Sequence, residues 1–138
     1  MKKTILVIDD VITSLLDIEE EVENAGLDCV ISYYWKDATY KVDECLNSLV
    51  GVIVDLNTPD GKFSGWNWLV KNFLNKGKKR ELVAFNSLIF SAYIPDFDSL
   101  SDKIVDGKEK ELYRKIAKIS KDDPKSFNKL SDYLKKFT

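Results

Sequence analysis

A chain of 138 residues with 44% hydrophobic and 12% aromatic side chains, six Gly and three Pro has the length of one domain and enough apolar mass for a core, which excludes disorder and fibrous repeats. Histidine is absent, so Ser-His-Asp and Cys-His catalysis, His-ligated zinc, His-bound haem and phosphohistidine carriage are excluded. With 21 Lys+Arg against 23 Asp+Glu the net charge is −2, and nothing global attracts phosphate backbones or anionic lipid.

After Met1-Lys2-Lys3, the apolar run Ile5 to Ile8 is too short for a signal peptide or a membrane span, so a cytoplasmic protein with no membrane partner is expected. The β-branched stretch Thr4 to Ile8, ending at Asp9-Asp10, predicts a strand buried on both faces. Leu15, Ile18, Val22 and Ala25 then recur at helical steps, with Gly26 just past the end. Cys29, Val30 and Ile31 predict a second strand, and Trp35, Ala38, Val42, Cys45 and Leu49 a second helix. The two cysteines lack metal-ligand spacing and read as buried reduced thiols.

Leu49 to Val54 is the most continuous apolar stretch and stops at Asp55, the pattern of a central strand. Asn57 to Lys62 reads as a loop, with Ser64 as N-cap of a third helix through Trp66, Leu69, Val70, Phe73 and Leu74 that ends near Gly77. Trp66 fits its core stripe, and Trp68, two residues on, is expected to be more exposed. Lys76 to Arg80 is a basic run in an acidic protein and reads as a solvated helix end rather than a nucleic-acid site. Leu88-Ile89-Phe90, running into Ser91-Ala92, predicts strand four. A helix is expected within residues 93–114, a short strand at Ile116 to Ile119, and a final helix with Asp123 as N-cap, Pro124 at N1 and a Phe127, Leu130, Leu134, Phe137 stripe.

Five alternations of strand and helix argue for a doubly wound α/β fold, a five-stranded parallel sheet with helices on both faces. In such sheets the ligand site lies beyond the carboxyl ends of the strands, which here carry Asp9, Asp10, Asp55, Ser91 and Lys121. Converging carboxylates repel, and a hard divalent cation is the simplest relief. Mg2+ takes one or two carboxylates, carbonyls and waters and leaves positions open for phosphate oxygens. An aspartate beside such a cation is a competent nucleophile toward phosphorus, while Lys121 could hold phosphoryl oxygens and the Ser91 hydroxyl could bond another.

Asp9-Asp10 after a strand, Asp55-Leu-Asn-Thr-Pro59, Leu88-Ile-Phe-Ser-Ala92 and Ser120-Lys121 before a final helix together resemble the response-regulator receiver domain of two-component signalling. The resemblance covers nearly the whole chain as one domain, 1–138, and implies the flavodoxin-like fold with strand order 2-1-3-4-5. It implies Asp55 as phosphoacceptor, Asp9 and Asp10 as Mg2+ ligands directly or through water, and the Asn57 backbone carbonyl as a further ligand. Ser91 would match the switch hydroxyl, with Ser87 its rival, and Lys121 the phosphate-binding lysine, with Lys103 its rival.

Departures from the family pattern are also present. Gly65 stands further from Pro59 than the pattern sets it, and the intervals from Asp55 to Ser91 and from Ser91 to Lys121 are long. Asp122 replaces the usual proline after the lysine. Lys118 occupies the place of an aromatic switch residue, so the alternatives are that an aromatic relay is absent or that Tyr93 or Tyr113 substitutes.

The resemblance implies a phosphorelay switch rather than an enzyme, receiving its phosphoryl group from a histidine kinase or histidine phosphotransfer protein and signalling through a downstream protein partner. Homodimerisation stays open, and no nucleic-acid partner is expected. The alternatives are a receiver-like interaction module that is not phosphorylated and, ranked lower, an aspartyl phosphohydrolase. The latter is disfavoured by Asn57 where such enzymes carry a second acid.

Overall fold

The structure, a computed structural model, describes residues 2–58, 61–96 and 107–138. In chain order the elements are β1 (Thr4–Ile8), α1 (Ile12–Asn24), β2 (Asp28–Ser32), α2 (Trp35–Cys45), β3 (Leu49–Val54), β4 (Asn57–Thr58), β5 (Gly61–Lys62), α3 (Ser64–Phe73), α4 (Lys78–Phe85), β6 (Leu88–Ser91), α5 (Gly107–Lys115), β7 (Ala117–Ser120) and α6 (Ser126–Lys135). Five strands form one parallel sheet in the order β2-β1-β3-β6-β7. Counting only these strands, the order is 2-1-3-4-5, the expected flavodoxin-like arrangement.

β1 is buried at every position, and β3 at all but Val50, as a strand covered on both faces requires. One face of the sheet packs Leu6, Ile8, Val52 and Val54 with α2, α3 and Tyr113 of α5. The other packs Ile5, Val7, Ile53 and Phe90 against Leu15, Ile18 and Val22 of α1 and Leu130 and Leu134 of α6. Each fully buried aliphatic side chain contributes roughly 1.5–3 kcal/mol relative to exposure, so these layers set the register of the strand ends. α1 stops where expected, with Gly26 at φ 85°, a conformation that costs glycine little.

Four expectations are corrected. Asn57 to Lys62 is not only loop: β4 and β5 pair as a small antiparallel ribbon, Asn57 opposite Lys62. Ser64 is the first residue of α3 rather than its cap, because Phe63 takes the N-cap place in the left-handed region at φ 63°. Trp68 is buried, at 7% exposure, because α2 packs beside α3 on the same face of the sheet and covers it: its ring stacks on Trp35 at 5.7 Å and its Nε1 donates to the Thr39 hydroxyl at 3.0 Å. At the C-terminus, Lys125 is the cap of α6, and Asp123 forms the preceding turn by accepting the Lys125 N–H at 2.8 Å.

The sequence pattern also missed α4, whose Leu82-Val83-Ala84-Phe85 run reads equally well as a strand. The helix from Gly107 begins inside the interval where one was expected and ends at Lys115, one residue beyond it. Cys29 and Cys45 are free and half-buried, and burial pushes the Cys29 thiol up to about 12 and the Cys45 thiol in the same direction. Among the described residues, no helix is long and apolar enough to cross a membrane.

Candidate functional site

Parallel pairing brings the polar strand ends together. Ile8 is in register with Val54, so the next residue of each strand, Asp9 and Asp55, emerges at the same edge. The ladder continues through Asp9 N–H to Ser32 O at 3.2 Å and Asp55 N–H to Ile8 O at 3.3 Å. On the far side, Ile89 pairs with Val54, and Ser91 with Ser120. That register carries Ser91 past the end of β3 to Asp55, while the Lys121 N–H donates to Ser91 O at 3.0 Å. Asp9, Asp10, Asp55, Ser91 and Lys121 therefore share one edge, as the sequence pattern requires.

Carboxylate oxygens of Asp9, Asp10 and Asp55 lie within 4.8 Å of one another. Asp9 is buried at 1% exposure and Asp55 at 6%. Asp9 accepts the Val11 N–H at 2.9 Å and the Ser14 hydroxyl at 3.0 Å. The Lys121 ammonium bridges both buried acids, at 2.5 Å from Asp9 Oδ2 and 2.7 Å from Asp55 Oδ2. Ser91 Oγ donates to the remaining oxygen, Asp55 Oδ1, at 2.8 Å. Burial works against the charge on Lys121, but its hydrogen bonds to Asp55 and Asp9 prevail and hold its pKa above the ordinary lysine value. Burial likewise pushes the Asp10 carboxyl above the usual aspartate range, and the charges of Asp9 and Asp55 add to that shift.

The rival hydroxyl is accounted for elsewhere. Ser87 Oγ donates to Val83 O at 2.7 Å and accepts the Val52 N–H at 3.0 Å, a structural clasp between α4 and β3. The rival lysine, Lys103, lies outside the described residues, as do Pro59 and Asp60. Asn57 begins β4 two residues beyond Asp55. Two further residues shape the site. Ser14 supports Asp9; its only sequence signal is a hydroxyl in the first turn of the helix that follows the acid pair. Gly65 packs directly on the Asp55 backbone: a Cβ there would fall well inside van der Waals distance of Asp55 O and 3.0 Å from its carbonyl carbon. The strained φ of Phe63, two residues earlier, accompanies this close approach.

The aromatics near the site take separate roles. Tyr93 is 58% exposed. Tyr113 is fully buried, donates its hydroxyl to Pro95 O and meets Trp66 edge-on at 5.0 Å. Lys118 is tied to the carbonyls of Tyr113 and Ile116. The Lys121–Asp122 peptide is trans, as are the other described peptide bonds.

As a donor set, three carboxylates with a single bridging ammonium suit a hard divalent cation. All the side-chain donors are oxygens, and the fixed charge is two units negative even with Lys121 in place. The same edge offers a nucleophilic carboxylate flanked by an ammonium and a hydroxyl, which is the equipment of phosphoryl transfer.

No protein-family model matches the sequence, and no curated protein matches it. Solved structures do. The chemotaxis protein CheY4 of Vibrio cholerae superposes with a TM-score of 0.73 over 100% of both chains at 14% identity. A response regulator receiver domain protein from Clostridium thermocellum gives 0.68 at 20% identity, covering 98% of this chain and 93% of that one. A two-component response regulator from Clostridium difficile gives 0.69 at 16% identity, covering 99% and 95%. This chain has the receiver-domain fold across its length.

Proposed function

We propose that this protein is a phosphorylation-controlled receiver of a two-component relay, with Asp55 as the phosphoacceptor. The observation that carries this reading is the convergence on Asp55 of Lys121 at one oxygen and Ser91 at the other, beside Asp9 and Asp10. The likeness of fold to response regulators supports it.

Asp9, Asp10 and Asp55, with the Asn57 carbonyl, would hold Mg2+. When bound, that ion supplies positive charge that offsets repulsion between the carboxylate and an incoming phosphoryl group. The remaining chemistry belongs to the chain. An Asp55 carboxylate oxygen forms a bond to phosphorus as the donor's P–N bond breaks, and the imidazole nitrogen departs with the bonding pair. The donor is a histidine kinase or phosphotransfer protein, because this chain has no histidine. Lys121, released from Asp55, then pairs with phosphoryl oxygens, and the Ser91 hydroxyl donates to another.

Ser91 also connects the site to the rest of the molecule. Beyond β6 the chain runs on to Pro95, whose carbonyl is held by the Tyr113 hydroxyl against Trp66. A movement of Ser91 toward the phosphoryl group biases that packing between two arrangements, and a downstream protein that prefers one of them reads the signal by its differential affinity. The protein is proposed to be cytoplasmic and to turn over no separate substrate.

Intact mass after incubation with acetyl phosphate tests the reading. The expected result is a single phosphoryl adduct that requires Mg2+ and is lost in Asp55→Asn. Absence of an adduct together with absence of Mg2+ binding by calorimetry would favour the unphosphorylated interaction module, and multiple turnover of small phosphomonoesters would favour the phosphohydrolase.

A further inference from the structure

The opposite edge of the sheet, at the N-terminal ends of the same strands, carries a second concave surface. A cleft of about 200 Å³ lies among the start of β3, α4 and the C-terminal residues. Leu49, Val83 and Phe137 line it and are buried, whereas Leu82, also in its lining, is 61% exposed. An apolar cavity of roughly 150 Å³ admits benzene, so this cleft has room for one aromatic or branched aliphatic side chain. Lys3 and Lys79 complete the wall.

The charge around the cleft is unbalanced. Glu81, the one acid of α4, is engaged by Lys108 at 2.9 Å, and Arg80 is engaged by Asp43 at 2.8 Å. Lys76, Lys78 and Lys79 have no carboxylate within ion-pair distance among the described residues. Lys3 donates to a carbonyl, Phe137 O, at 3.0 Å rather than to an acid. Lys136 lies over the rings of Tyr133 and Phe137 at 4.4 and 5.1 Å. Lys3 and Lys79 thus border an apolar depression, with Lys136 beside it on Phe137, and none of the three pairs with a carboxylate among the described residues. The surface owes much to α4, the helix inside the long interval between Asp55 and Ser91.

We propose that this cleft docks an acidic segment of a partner protein that inserts one bulky apolar side chain between Leu82 and Phe137. Charge complementarity selects the acidic flanks, and the buried floor selects the apolar anchor. A nucleic-acid strand fits less well. Single strands are held by stacking on accessible aromatic rings, and Phe137 is 8% exposed with Lys136 over it. A second copy of this chain, whose α1 is acidic, is the rival occupant, and self-association through Lys79 is an outcome of the test. The surface lies away from Asp55, and the proposal stands independently of phosphoryl transfer.

Fluorescence anisotropy with a labelled synthetic peptide, glutamates flanking one central phenylalanine, tests this on the full chain. Saturable binding at about 10–100 μM is expected. It should weaken about tenfold in Lys79→Glu and in Leu82→Ser, and about tenfold when serine replaces the peptide's phenylalanine. Binding should be unchanged in Lys36→Glu, a charge-matched change on exposed α2 surface, and in Asp55→Asn. Lys79 and Leu82 are both exposed, and a circular dichroism melt verifies that their variants fold. The proposal is overturned by no saturation below roughly 1 mM, or by equal binding of the two peptides or of wild type and the cleft variants. It is also overturned if a single-stranded oligonucleotide binds more tightly through Lys79, or if the chain self-associates and Lys79→Glu abolishes this.

Discussion

The two edges of the one sheet are built on different physics. At the carboxyl edge, five polar residues from four strand ends converge, and the lysine among them is bound to two acids at once. At the amino edge, a helix, a strand start and the chain's last residues meet around apolar side chains, with lysines that pair with no acid among the described residues. The first edge is a pre-organised electrostatic site, in which each charge is placed by strand register. The second is a surface whose charge calls for a partner. Substitutions should therefore alter chemistry and stability together at the first edge, and recognition alone at the second.

The largest effect is expected from Lys121→Met. It leaves two buried carboxylates facing each other without a counter-charge, and removing one member of such a pair costs on the order of 3–5 kcal/mol. Urea unfolding checks this, and saturating Mg2+ should restore most of the loss. A loss that Mg2+ leaves unchanged would mean that the three acids do not hold a cation. Gly65→Ala comes next. The added methyl meets backbone rather than a movable side chain, and overpacking of this kind costs about 1–3 kcal/mol. Because the backbone it displaces is that of Asp55, the phosphoryl adduct should also form at least about tenfold more slowly.

A subtler pair separates structure from chemistry. Ser87→Ala leaves the Val52 N–H without its acceptor and should cost about 1–3 kcal/mol, with no change in adduct formation per folded molecule. Ser91→Ala removes a buried hydrogen bond to a carboxylate and should cost a comparable amount, about 1.5–3 kcal/mol, yet also change the lifetime of the adduct followed by mass. Reversal of that pattern would assign the switch hydroxyl to Ser87. The smallest effect belongs to the amino edge: Leu82→Ser should shift stability by less than about 0.5 kcal/mol and leave adduct formation untouched. A larger loss would show that the cleft contributes to the fold rather than to recognition.

Much of this was legible from residue order. Thr4 to Ile8 and Leu49 to Val54 are continuous apolar runs that stop at aspartates, and a strand buried on both faces in a parallel sheet has few other readings. Once the sheet is parallel, its carboxyl ends fall on one side, so Asp9, Asp10, Asp55 and Lys121 were candidates before any distance was known. The resemblance to receiver domains added the roles.

Other features depended on contacts that local pattern does not encode. Ser87 precedes the short strand β6 and Ser91 ends it, and each is fully buried; only the pairing of β6 with β3 decides which one reaches Asp55. Trp68 lies off the stripe that faces the sheet, and it is buried because α2 supplies a second wall, with Trp35 and Thr39 as partners. Helix α4 has a charged first half and then the unbroken apolar run Leu82-Val83-Ala84-Phe85, too short for its period to distinguish it from a strand, so its packing on the sheet decided its conformation. The unmatched lysines of the amino edge belong to the same class, since a charge is unpaired only in relation to what folding brings near it. Residue order determined the period of each segment and the polar residues that end the strands, because both are local properties of a chain. Tertiary structure decided register, second burial faces and charge balance, because each is set by residues distant in sequence.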